Sequence, residues 1–138
     1  LSAAILYSIF FLGNTIAIQV LPGAKTQVGG IYSLGEGTRK ALVFLLLFFI
    51  TGPGEEIFWR GFLQGHFMAT RGKFFGFLIT TFLYAGVHVF SCNLVLILAA
   101  LVAGSFWGLL YLWKRDLLIQ IISHSFWSAV IFAVAPIQ

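Results

Sequence analysis

Hydrophobic residues in this chain fall into five runs, each near the roughly 20 residues that a helix needs to cross a bilayer. The runs are Ser2–Leu21, Ala41–Thr70, Phe74–Phe90, Leu94–Trp113 and Leu117–Pro136. Polar breaks separate them. Pro22–Lys40 carries Lys25, Glu36, Arg39 and Lys40, and the others are Arg71-Gly72-Lys73, Ser91-Cys92-Asn93 and Lys114-Arg115-Asp116. Helices satisfy their own backbone groups in lipid, so the pattern predicts an all-α, polytopic bundle of about five transmembrane segments. The second run is long: about 30 residues would make roughly 45 Å of helix, too much for one straight crossing. Gly52-Pro53-Gly54 is expected to break or kink it. Tyr111 and Trp113 suit a membrane interface. Residues 1–138 read as one transmembrane domain, without internal repeat or low-complexity stretch.

Composition supports this reading. Of the 138 residues, 60% are hydrophobic and 9% charged, against roughly 25% charged in an average soluble domain. Too few polar groups exist to cover a soluble surface. The net charge is +4, but the basic residues sit in short loops, as topology anchors do, so no nucleic-acid partner is expected. Arg71, Lys73, Lys114 and Arg115 face one side, and Lys25, Arg39 and Lys40 the other. So even a balance does not assign an orientation. A single cysteine, Cys92, rules out an internal disulfide and leaves the redox compartment open. The chain starts at Leu1 without a cleavable signal pattern, and it is expected to be incomplete at its N-terminus.

The acids change the picture. Two of the four, Glu55 and Glu56, are adjacent inside the second hydrophobic run. A carboxylate at membrane depth costs about 3 kcal/mol or more, so local compensation is required, and chemistry is the usual reason to keep such a pair. Glu56 and Arg60 are i, i+4 neighbours with the Glu N-terminal, the favourable order for an ion pair. Glu55 points about 100° away. A break at Gly52–Gly54 would put both carboxylates in a first helical turn, where free N–H groups and the helix dipole favour negative charge. The plainer alternative is a structural Glu–Arg pair with one snorkelling Glu.

Two histidines lie on polar helical stripes. Thr81, Tyr84 and His88 share one face, as do Gln120, His124 and Ser128. Glu55 lies 16 residues before Arg71, and His88 lies 15 after Lys73. Both are then roughly 22–24 Å from the same membrane side, a depth that permits contact. A lone membrane histidine also serves as a helix–helix hydrogen bond. His66 falls near the membrane edge and carries no role.

A carboxylate and an imidazole in a dry pocket can activate water, and a His and a hydroxyl on another helix can stabilise an oxyanion. These parts suit a hydrolase. A zinc site of two His and one Glu competes, although no His-Glu-x-x-His helix or short-spaced ligand cluster is present. A proton-coupled transporter is a further alternative, because membrane Glu and His also serve proton relays. The chain is short for one and shows no repeat pair.

Glu55-Glu56-Ile57-Phe58-Trp59-Arg60 resembles the Glu-Glu-x-x-x-Arg motif of the CPBP family, the CAAX proteases and bacteriocin-processing enzymes. Tyr84-x-x-x-His88 resembles its second motif, usually Phe-x-x-x-His, and His124-x-x-x-Ser128 its third, usually His-x-x-x-Asn or Asp. The motifs stand in family order, from Pro53 to Ser128. The resemblance implies an intramembrane endopeptidase of glutamate type, so residues 1–138 are expected to form a single transmembrane catalytic domain, and the lack of a short-spaced ligand motif predicts no metal or other cofactor. It implies that Glu55 and His88 activate water, that His124 and Ser128 stabilise the oxyanion, and that Glu56 and Arg60 hold the site. Tyr84 for Phe adds a phenol that needs a partner, and Ser128 for an amide or acid weakens the oxyanion role there. A non-catalytic scaffold or immunity protein of the same fold is the alternative that the Ser128 departure favours. Implied partners are membrane lipid and a membrane-associated protein or peptide: a prenylated C-terminal tail, a bacteriocin leader or a sorting signal. The setting expected is the plasma membrane of a prokaryote, and the oligomeric state stays open.

Overall fold

The computed structural model describes residues 1–137, all helices and connections, with no strand among them. Helix α1 is Ser2–Val20 and α2 is Ala24–Ser33. Helix α3 is Lys40–Arg71, α4 is Lys73–Ser91 (ending in a 3₁₀ turn), α5 is Leu94–Lys114 and α6 is Leu117–Val134. Five of the six, all but α2, are long and apolar enough to cross a membrane. They match the five hydrophobic runs closely. Large apolar side chains such as Phe49, Phe62, Phe82 and Phe90 point outward, as lipid contact requires.

Two expectations need correction. The polar connection Pro22–Lys40 contains the ten-residue helix α2. Its glycines give it weak intrinsic propensity, so tertiary contacts hold it. Ala24 and Val28, one turn apart, are buried. The Gln27 carbonyl accepts from Asn93 Nδ2 at 2.9 Å, and Gln27 Oε1 accepts from the Val95 N–H at 3.1 Å, at the start of α5. Tyr32 Oη accepts from the Ile137 N–H at 3.0 Å.

The second correction concerns Gly52-Pro53-Gly54. The deviation there takes the form of π turns, not a break. Residues Leu47–Thr51 and Ile57–Gln64 wind as π-helix on either side of Gly52–Glu56. Thr51 (φ −67, ψ −53) and Gly52 (φ −56, ψ −53) keep helical angles. A proline ring collides with the carbonyl four residues earlier in an α-helix, and a wider π turn relieves that collision. The glutamates therefore sit mid-helix, with no free helix N-terminus beside them. Side chains must supply the compensation.

Helix α3 is the central helix. It packs against α6 through its Gly52–Glu56 segment and against α4 through its last turns, while α4 packs along α5 and α1 lies on α6. Gly52 makes the α3–α6 crossing possible. A Cβ there would come 2.5 Å from Ser125 Oγ and 2.9 Å from its Cα. The apolar core beneath the crossing is formed by Leu6, Trp59, Ala100, Ala103, Trp107 and Trp127 with their neighbours. Phe10 of α1 meets Trp127 edge-on, with centroids 4.6 Å apart.

Candidate active site

A polar column runs down the inner face of α3. Glu56, Arg60 and Gln64, spaced one turn apart, are each no more than 1% exposed. Arg60 Nη1 donates to Glu56 Oε1 at 2.9 Å, the i, i+4 pair that the spacing predicts. Arg60 Nη2 donates to the Gly104 carbonyl at 3.2 Å, and Gln64 Nε2 to the Gly108 carbonyl at 3.0 Å. So α3 grips two successive turns of α5. Arg60 also stacks near the Tyr84 and Trp107 rings, 5.0 and 5.6 Å from their centroids. A buried cation needs such an enclosure of acceptors and ring faces.

His124 of α6 completes the cluster. Its Nδ1 lies 2.7 Å from Glu56 Oε1, so Glu56 Oε1 serves both Arg60 and His124. A carboxylate paired with Arg60 can only accept, so Nδ1 carries the proton. That leaves Nε2 pointing toward Glu55, 4.0 Å from Glu55 Oε2. The imidazole is stacked on Trp107, with centroids 3.8 Å apart and planes 16° apart. Trp107 in turn donates from Nε1 to Ser123 Oγ at 3.2 Å. The ring is held at its edge and on one face, as a residue with a defined orientation must be.

Glu55 behaves differently from its neighbour. Its side chain is 34% exposed, against 0% for Glu56. It accepts a hydrogen bond from the Tyr84 hydroxyl at 2.9 Å. His88 does not make the Glu55 contact that equal depth allows. Its Nδ1 instead bonds the Tyr84 carbonyl at 2.8 Å on its own helix. A carbonyl only accepts, so His88 Nδ1 carries the proton, and in the neutral ring Nε2 is the free acceptor.

Glu55, Tyr84, His88, His124 and Ser128 line one cavity of about 530 Å³ within the bundle. Its remaining wall is mostly apolar, including Phe10 of α1, Val28 and Ile31 of α2, Leu47 of α3 and Leu96 of α5. Helix α2, absent from the sequence reading, is thus part of that wall. All four residues expected to be catalytic meet here, while Glu56 and Arg60 sit behind them. His66 stays exposed at the far end of α3. Among the described residues no three His, Cys, Asp or Glu side chains converge as a metal-binding group.

Sequence reasoning missed Gln64, Gly104 and Trp107. The small residues Gly104 and Gly108, four apart on α5, are the pattern that marks close helix contact in membranes and could have located the first two. At Gly104 a Cβ would come within 3.0 Å of Tyr84 Cδ1.

The chain matches a family model described as Rce1-like, type II CAAX prenyl endopeptidase Rce1-like, over residues 37–130. That stretch covers more than half of the chain and holds every residue of the cluster. No curated protein and no solved structure matches it.

Proposed function

Because the chain belongs to the Rce1-like family of type II CAAX prenyl endopeptidases, we propose that it is an intramembrane endopeptidase that cleaves a membrane-associated protein or peptide. The observation that carries this reading is the meeting of Glu55, His88, His124 and Ser128 on one cavity inside a multi-pass membrane bundle.

In this proposal Glu55 and His88 activate the water. Glu55 takes its proton as the water oxygen bonds the carbonyl carbon, and the carbonyl electron pair moves onto oxygen. Neutral His88 presents Nε2 as a second acceptor for the water. His124, anchored through Nδ1 by Glu56, turns Nε2 toward the Glu55 side. As imidazolium it donates there to the developing oxyanion, and the Ser128 hydroxyl adds a shorter-armed donor. Collapse of the intermediate breaks the C–N bond, and the proton held by Glu55 passes to the leaving amine. Glu56 and Arg60 orient His124 without touching substrate.

The apolar wall favours a substrate that brings hydrocarbon with it, by burial of apolar surface. A prenylated tail brings such a hydrocarbon chain, and bacteriocin leaders and sorting signals are the other candidate substrates. The proposed setting, the plasma membrane of a prokaryote, rests on the resemblance to bacteriocin-processing enzymes. Turnover of a panel of these three peptide types by the purified protein in proteoliposomes tests the reading. Cleavage of one, lost in Glu55→Gln, supports it, and no cleavage of any contradicts it.

A further inference from the structure

The Tyr84 ring is clamped. It is 6% exposed, it lies so close to Gly104 of α5 that a Cβ there would come 3.0 Å from its Cδ1, and Trp59 meets it edge-on at 5.2 Å and 87°. The Arg60 guanidinium sits 5.0 Å from its centroid. A ring held between α3 and α5 fixes where its hydroxyl oxygen lies, and that oxygen is 2.9 Å from Glu55 Oε2.

Glu55 lacks any comparable restraint of its own. Its side chain has three rotatable bonds and a third of its surface open. Arg60, five residues further along α3, is taken by Glu56. His124 Nε2 faces the same Oε2 at 4.0 Å, beyond hydrogen-bond reach. His88 turns its Nδ1 to the Tyr84 carbonyl. Among the described residues, Tyr84 therefore makes the one hydrogen bond from another side chain to the Glu55 carboxylate.

We infer that Tyr84 is a positioning residue for the general base. The phenol holds Oε2, so that Oε1 stays on the line along which it takes a proton from water. A reacting atom misplaced by about 1 Å can cost 100-fold in rate, so fixing one oxygen of a mobile carboxylate acts on the chemical step more than on substrate affinity. The inference rests on the peptidase reading, and it gives Tyr84 a role that acts through Glu55.

The test compares wild type, Tyr84→Phe, Glu55→Gln and the double variant in proteoliposomes on the cleaved peptide. Phenylalanine keeps the clamped ring and removes only the hydroxyl. The expected kcat loss in Tyr84→Phe is about tenfold, the scale of one lost hydrogen bond to a charged group. KM should stay within about twofold, because ground-state binding is untouched. On the Glu55→Gln background the same change should cost less than about twofold, because the two residues act as one unit. An infrared carboxylate band that vanishes in Glu55→Gln should shift in Tyr84→Phe. It should also shift with 3-fluorotyrosine at position 84, which serves if the phenylalanine variant misfolds. Wild-type kcat in Tyr84→Phe, an equal loss on both backgrounds or an unmoved band would overturn the inference. If Glu55→Gln is dead while Tyr84→Phe is fully active, this inference falls and the peptidase reading stands. If the wild type cleaves nothing, both fall, before any Tyr84 variant is made.

Discussion

His124 Nδ1 lies 2.7 Å from Glu56 Oε1, while the opposite nitrogen of the same ring lies 4.0 Å from Glu55 Oε2. One imidazole therefore faces two adjacent carboxylates that leave α3 in different directions. The division of labour follows from burial. Glu56 is fully enclosed and saturated at Oε1 by Arg60 and His124, whereas Glu55 opens onto the cavity.

Glu56 and Arg60 are expected to be structural. Removing one partner of a buried pair leaves an uncompensated charge, at a cost of about 3–5 kcal/mol. Glu56→Gln and Arg60→Gln should each melt early in detergent, and the double variant should recover part of the loss. An Arg60→Gln protein that melts like wild type yet has no activity would assign the guanidinium to the chemistry.

His124 and Ser128 should differ in weight. Loss of a strong oxyanion donor costs roughly 100- to 1000-fold in turnover, and His124→Ala should fall in that range. Ser128→Ala should lose only about tenfold, since a hydroxyl offers one donor on a short arm. Ser128→Asn should keep or raise the rate, because position 128 borders the cavity and the longer amide can enter it. Turnover of these folded variants on one substrate checks this. Equal losses in the two alanine variants would refute the weak-donor role.

Gly52→Ala should lower stability without touching the cavity chemistry directly. Its methyl would meet Ser125 Oγ at 2.5 Å and Ser125 Cα at 2.9 Å. Overpacking of this kind costs about 1–3 kcal/mol. Thermal melting measures it, and an unchanged midpoint would mean that α3 and α6 separate more easily than their packing implies.

Activity should survive extensive chelation with phenanthroline. The sequence has no short-spaced ligand motif of the usual zinc kind, and among the described residues no three His, Cys, Asp or Glu side chains converge as a metal-binding group. Loss on chelation, with rescue by added zinc, would contradict this expectation.

Much of this arrangement was legible before any coordinates. Hydrophobic runs locate α1 and α3–α6 because lipid demands length and apolarity of every crossing helix. The Glu56–Arg60 pair follows from i, i+4 spacing alone. Other features depend on partners that spacing cannot reveal. Helix α2 carries weak local signals, and the start of α5 and Ile137 hold it in place. The π turns around Gly52–Glu56 preserve a helix that local rules would interrupt. Tyr84 advertised a phenol in need of a partner, but only the rotation of α4 against α3 shows that the partner is Glu55. Equal depth permits a contact between His88 and Glu55, but His88 Nδ1 bonds a carbonyl of its own helix instead.

The central claim is that Glu55 is the general base of a peptidase, with His88 acting in the same step. Glu55→Gln keeps the shape and the mid-helix position of the side chain and removes its basicity. The decisive measurement is turnover of a cleaved peptide in proteoliposomes by wild type, Glu55→Gln, His88→Ala and their combination, each checked for folding. Each single variant should lose at least about 100-fold, and the combination should lose little more, because both residues serve one proton transfer. Wild-type turnover in folded Glu55→Gln would contradict the assignment outright.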